Sequence, residues 1–524
     1  MITPQSEEMD IVALLSTPAT YAFDGPVDIV ETHCARVFLI DHEAFKVKKR
    51  VKFPFVDFTT LERRFAACQR EIEINQPHAP GLYLGLRPIS RSTDGRLNLE
   101  NIGETVEWAV HMRRFDQSAV LASVADRGPL PFALPRKLAS MVASYHRSSP
   151  VSLLGGGSNR MRQLVEQLTT ELSASGSLLS EADVATFGSL ARDHLLRRGE
   201  LLDARAASGA VRRCHGDLHL GNIVLIDSKP VPFDALEFDE ELATTDVLYD
   251  LAFLLMDLDH RGLRSEANVV LNTYVAEAPL GSEIEGLACL PLFLACRAAV
   301  RAVVFLERAR QPQEPVVRSD ILGKARSYLE LSICYLQPLP ALNVAIGGLS
   351  GSGKSTVARA LAPSIGLAPG ALHLRSDVER KRLGGFAEEQ RLSSDYYTAE
   401  MSQIVYDKLI EKSVAILATG HSVVADAVYA RPDERTAIAD ATKDAGGCFI
   451  GFWLDAPAEQ LIARVDARNG DASDATANVV RFQLEFNVGA ISWHRLDASQ
   501  RPERVIEAAL SILENFMARF EQRS

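Results

Sequence analysis

Gly348-Leu349-Ser350-Gly351-Ser352-Gly353-Lys354-Ser355 meets the pattern G-x-x-x-x-G-K-[ST] at every fixed position. The apolar run Val344-Ala345-Ile346 enters it as a strand, and the helix-forming run from Thr356 to Ala362 leaves it. A loop held between a strand and a helix N-terminus aims its backbone N–H groups at one point, a geometry that suits phosphate oxygens. Gly348, Ser350, Gly351, Ser352, Gly353 and Thr356 are thereby candidate main-chain contacts to a nucleotide phosphate. Lys354 would reach the β and γ phosphates of ATP, and the Ser355 hydroxyl would hold magnesium. Far upstream, His215-Gly216-Asp217-Leu218-His219-Leu220-Gly221-Asn222 sets an Asp and an Asn five residues apart on a tight loop. The chain therefore carries two different devices for handling ATP.

The 524 residues exceed what one core usually supports, so two or three domains are expected. Hydrophobic content of 47% and charged content of 24% are ordinary for a globular chain. A net charge of −12 disfavours nucleic acid and anionic membranes as partners. Seven cysteines with no C-x-x-C pair indicate neither a zinc site nor a disulfide framework. Met1 to Asp10 is polar and acidic, unlike a signal peptide, and a cytoplasmic location is expected. The apolar stretch from Leu287 to Leu306 is interrupted by Arg297 and Arg301, which suits a buried helix better than a membrane span. Nothing in the sequence indicates an oligomeric state.

Val37–Ile40 and Ala44–Lys48 flank a turn at Asp41-His42 and read as a hairpin. Leu61 to Gln76 reads as a helix, and Gly81–Ile89 and Thr105–Met112 as further strands. Helical spacing dominates from Pro135 to about Arg205 and again after the short strand pair 223–226 and 231–234. Gln337-Pro338-Leu339-Pro340 cannot continue a helix and marks the expected boundary, giving domains 1–337 and 338–524. Beyond it, strands at 342–348, 371–376, 422–427, 448–454 and 490–496 alternate with helices, which implies a parallel sheet.

His215-Gly216-Asp217…Asn222, followed by Phe233-Asp234, resembles the catalytic and metal segments of the aminoglycoside phosphotransferase family, relatives of the protein kinases. The resemblance implies an α+β protein-kinase-like fold and a clear division of labour. Asp217 would accept the proton of the attacking hydroxyl. Asn222 and Asp234 would hold magnesium, and His215 would brace the loop. A strand lysine and a helix glutamate should lie upstream. Phe45-Lys46-Val47-Lys48 fits the family's aromatic-x-aliphatic-Lys strand, which selects Lys48. Lys46 shares its strand face, so period two does not separate them. Glu71 is the expected partner, with Glu73 as rival. Trp108 to Arg114 takes the place of the hinge that contacts adenine. Glu237, Asp239, Glu240 and Glu241 would add acidity suited to a cationic aminosugar, or would form a solvated loop.

After the second strand, Ser376-Asp377-Val378-Glu379-Arg380 carries an Asp-x-x-Arg that resembles polynucleotide kinases and gluconate-kinase-like enzymes. That resemblance makes Asp377 the base for an acceptor hydroxyl and Arg380 a phosphate ligand. The plainer alternative for Asp377 is a helix N-cap. Val423-Val424-Ala425-Asp426 has the form of a strand ending in a metal-supporting Asp. Arg468, and after it Arg464, would come from a mobile lid over the transferring phosphate. The whole chain resembles a bacterial fusion of an aminoglycoside-phosphotransferase-like domain with an α/β P-loop small-molecule kinase. The expected activity is ATP- and Mg2+-dependent phosphorylation of small-molecule hydroxyls such as sugars or aminosugars. An ATP-binding regulatory protein and a toxin-like kinase acting on a macromolecule are the alternatives.

Overall fold

The computed structural model describes residues 4–521 apart from 33, 54–55, 153–156, 278, 313, 389 and 468–472. It divides into two compact units, Met1–Arg160 with Leu202–Asp257, and Met161–Leu201 with Leu258–Ser524. This division does not fall at Gln337–Pro340. The helices from 258 to 336 group with the P-loop sheet, because helix Arg264–Glu277 bonds into it: Asn268 Nδ2 donates to the Ala371 carbonyl at 3.0 Å.

The first unit is built on a six-stranded antiparallel sheet. Its order is Asp28–Glu31, Ala35–Ile40, Glu43–Lys48, Glu104–Arg113, Tyr83–Arg91, Leu97–Asn98. The hairpin closes in the register Phe38↔Phe45. Alternation then sends Phe45 and Val47 into a core with Ile11, Leu15, Phe38 and Ala109, and leaves Lys46 and Lys48 on the opposite face. Helix Leu61–Asn75 covers that second face. Thr60 caps it by accepting from the Arg63 N–H. Buried Arg64 fixes it to the sheet through both Glu107 oxygens at 2.8 and 2.9 Å. Strand Val211–Arg213 leads into the His215–Asn222 loop, and the hairpin Ile223–Ile226 with Lys229–Pro232 delivers Phe233-Asp234. This is the protein-kinase-like arrangement.

The second unit holds a five-stranded parallel sheet in the order Leu372–Arg375, Val423–Asp426, Leu342–Gly347, Cys448–Asp455, His494–Asp497. The first strand in the chain is central, with the third and fourth on its two sides. The carboxyl end of Leu342–Gly347 is therefore the topological switch point, where α/β sheets bind ligands. Leu342, Val344 and Ile346 join Val357, Leu361, Val424, Ile450 and Phe452 in the core beneath it. This is the α/β P-loop fold. Glu283–Arg310 is long and apolar enough to cross a membrane, but 72% of its most apolar window is buried inside the fold. The helix Leu290–Arg310 even buries Arg297.

Gly370 precedes the edge strand Leu372–Arg375 with φ +121°, and a Cβ there would lie 2.6 Å from Pro363 Cα. Gly370→Ala combines left-handed strain with a backbone clash. It is expected to destabilise the second unit by about 1–3 kcal/mol, read as a fall in the urea midpoint at unchanged slope.

Candidate functional site

In the first unit, Glu71 is completely buried and both strand lysines meet it. Lys46 Nζ lies 2.8 Å from Glu71 Oε1 and 2.5 Å from Asp234 Oδ1. Lys48 Nζ lies 2.6 Å from Glu71 Oε2 and also pairs with Glu237. Burial alone would push the Glu71 carboxyl up, but the two ammonium groups outweigh it and hold it below its ordinary value. The two lysines are thus separated by depth. Lys46 joins the helix glutamate to the metal-type aspartate, whereas Lys48, selected from the sequence, is 3% exposed and enclosed by two carboxylates. Glu73, the rival partner, is instead held by Gln69 and Arg70 on the helix surface.

A cavity of about 300 Å³ opens beside these groups. Val37, Leu39, Ala44, Met112, Phe115 and Phe233 give it an apolar slot, and Lys46, Asp217 and Asp234 a polar end. Met112 to Arg114, from the expected hinge, line it. Asn222 Nδ2 donates to the Asp217 backbone oxygen at 3.0 Å and to its Oδ2 at 2.8 Å. His215 is buried, contacts the Phe233 carbonyl at 3.0 Å and so braces the loop. Asp250 accepts from the Gly216 N–H at 2.8 Å and ties the loop down from below. Asp246 is held by Arg205 through two bonds of 2.7 Å. The acidic run after Asp234 is neutralised from several directions. Glu237 pairs with Lys48, Glu240 with Arg70 and Arg213, and Glu241 with Arg160, while Asp239 caps a short helix. Glu237 is buried in its pair, whereas the Glu240 and Glu241 side chains stay largely exposed beside their arginines.

In the second unit, Gly353 caps helix Lys354–Leu361, and the P-loop wraps its start. Gly351 takes φ +84° with the Leu461 backbone packed against it, leaving a Cβ no room. Lys354 Nζ donates to the Leu349 carbonyl at 3.1 Å. Ser350, Gly351, Gly353, Lys354, Ser355 and Thr356 line a cavity of about 730 Å³, shared with Asp377, Arg380 and Asp426. Ser352 is buried in the loop, and Gly348 packs against Leu454 at its base.

Asp426 receives His373 Nε2 at 3.4 Å and Arg375 Nε at 3.8 Å, while Arg375 Nη2 donates to Ser355 Oγ at 3.2 Å. Burial opposes ionisation of Asp426, but the His373 hydrogen bond, with Lys354 and Arg375, brings it down to about 2. Burial pushes the Asp377 carboxyl up, more than nearby Arg375 lowers it. Asp377 is not the N-cap of helix Ser376–Leu383; Arg375 holds that place and Asp377 lies in the first turn. Arg380 is buried, donates to the Tyr396 carbonyl at 2.7 Å, stacks on Tyr397, and keeps an unpaired Nε. Arg464 lies on helix Ala458–Asp466 and is not among the cavity's described lining residues; Arg468 lies outside the described residues. His373, Arg375 and Gln483 were not anticipated. Period two puts His373 and Arg375 on one strand face, a usable signal, whereas Gln483, whose Oε1 accepts from the Ser350 N–H at 2.8 Å, carried none.

Both sites offer oxygen donors suited to a hard divalent cation. In the first these are Asn222 and the half-exposed Asp234 carboxylate. In the second they are Ser355 and the ionised Asp426, which Arg375 holds side by side.

Residues 344–486 match the AAA domain family model. The chain is 29% identical to the uncharacterized protein Rv2004c of Mycobacterium tuberculosis over 495 residues, covering 93% of this chain and 95% of that protein. Among solved structures, it is similar to a gluconokinase from Sinorhizobium meliloti at 21% identity and TM-score 0.27, covering 36% of this chain and 99% of that one. It is also similar to an aminoglycoside 2'-phosphotransferase in complex with GDP at 15% identity and TM-score 0.37, covering 62% of this chain and 98% of that one.

The two lysines should respond differently to loss of charge. Lys48→Met leaves Glu71 and Glu237 short of a buried cation and is expected to cost about 3–5 kcal/mol of stability, seen in thermal unfolding. Lys46→Met keeps Glu71 paired with Lys48, so its main effect should be weaker ATP binding at the first site, seen by titration.

Proposed function

We propose that the protein is an ATP-dependent phosphotransferase with two transfer sites, each acting on a hydroxyl of a small molecule. One observation carries the reading: in both cavities a carboxylate opens onto the same space as the groups placed to meet phosphate. In the first, Asp217 shares its cavity with Lys46 and Asp234; in the second, Asp377 shares its cavity with Lys354 and Ser355.

When bound, magnesium ATP supplies the phosphoryl group and the counter-charge that steadies it. The chain's own residues do the rest. At the first site, Lys46 meets the phosphates, the apolar slot takes the base, and Asp217, held by Asn222, accepts the hydroxyl proton. At the second, the P-loop N–H groups and Lys354 would grip the phosphates, and Ser355 and Asp426 would hold the cation. Asp377, kept from ionising too readily by its burial, takes the hydroxyl proton. Arg380, with its unpaired Nε, contacts the transferring or acceptor group.

Single substitutions should separate the sites. Asp217→Asn is expected to lower turnover at the first site by at least about 10²-fold while sparing ATP affinity. Lys354→Ala should weaken ATP binding and turnover at the second site only. Asp377→Asn should stop transfer there and spare binding. Product assays by mass spectrometry, with a panel of sugars and related alcohols, read each change. Full transfer by Asp377→Asn would contradict the role given to Asp377.

A further inference from the structure

The strand Leu372–Arg375 lies at one edge of the parallel sheet, with Val423–Asp426 as its single strand neighbour. Its outer edge therefore presents backbone groups that need partners. Asn272, on helix Arg264–Glu277, supplies them. Its Oδ1 accepts from the His373 N–H at 2.7 Å, and its Nδ2 donates to the Ala371 carbonyl at 3.2 Å. A residue of a neighbouring parallel strand bonds in this way to the two residues flanking its opposite number. The carboxamide thus stands in for a sixth strand. Asn268 Nδ2 adds a second donor to Ala371 at 3.0 Å and would lie 2.9 Å from a Cβ on Gly370. The segment 370–373 is pinned from outside the P-loop fold.

That segment carries His373, which reaches the proposed cation ligand Asp426. His373 Nε2 reaches Asp426 at 3.4 Å, and Arg375, two residues on along the same face, spans Asp426 and Ser355. A backbone shift at 371–373 moves these donors together. We propose that Asn272 is a positioning residue for the P-loop site. It fixes the edge strand that holds His373 on Asp426, so a helix outside the P-loop fold tunes how that site accepts magnesium. The inference rests on the proposed reading of the P-loop site as a phosphoryl-transfer centre. Asn272 touches no group placed at the reacting phosphate.

The test uses the full chain carrying Asp234→Ala, so that the P-loop site is read alone. A fluorescent ATP analogue is titrated with magnesium and, separately, in EDTA. Asn272→Ala should raise the magnesium midpoint by about tenfold, the size typical of losing a supporting partner behind a metal ligand. Binding in EDTA, set by the loop N–H groups and Lys354, should not change. Hydrogen exchange at the His373 amide should speed up. His373→Ala should give a similar rise in midpoint, and the double substitution no more than His373→Ala. Asn272→Asp keeps an acceptor for the His373 N–H but sets a carboxylate oxygen against the Ala371 and Asn268 carbonyls, so it should not restore the midpoint. Should Asn272→Ala fail to fold, Asn272→Gln replaces it in the same comparison. An unchanged midpoint in the Asn272 variants beside a raised one in His373→Ala overturns the inference, as does full additivity of the two. Binding that survives Lys354→Ala would overturn the P-loop reading itself, and this inference with it.

Discussion

Glu71 is a carboxylate with no exposure to solvent, and a charge so placed is tolerable only with cations against it. Two lysines of one strand provide them, one per oxygen. That contact ties strand Glu43–Lys48 to helix Leu61–Asn75. Each lysine then extends it to a different carboxylate of the Asp234–Glu237 segment. Asn75, at the end of the same helix, accepts from the Ala235 N–H at 2.9 Å and holds that segment a second time. Sheet, helix and metal-type loop are thereby fixed around one buried anion. Lys46 is the less buried of the two and also bonds Asp234.

The P-loop site solves a similar problem with two aspartates in different settings. Asp426 is surrounded by donors and stays ionised, as a cation support must. Asp377 is held up by burial, as suits a group that exchanges a proton. The His373 hydrogen bond to Asp426 sets the two apart, and His373 sits on an edge strand bonded by Asn272 and Asn268.

Much of this was legible in the sequence, because it is local. The glycine loop, the Asp217-to-Asn222 spacing, the hairpin and the parallel strands each follow from short-range pattern. The family pattern selected Lys48, but period two gives Lys46 and Lys48 one face, and depth, which a sequence does not carry, distinguishes them. The acidic run at 237–241 looked open because its partners, Lys48, Arg70, Arg160 and Arg213, come from four distant segments. The proline-marked boundary at 337–340 was a sound stop for a helix, but it does not report side-chain bonds that cross it, such as Asn272 to His373. Long-range pairs of this kind leave no periodic trace.

The central claim is that one chain holds two nucleotide sites. Isothermal titration of the full-length protein with a non-hydrolysable ATP analogue and magnesium measures this directly. Two molecules should bind per chain, falling to one in either Lys354→Ala or Asp234→Ala and to none in the double variant. A single molecule bound by the unsubstituted chain, or loss of both in either single variant, would contradict the account.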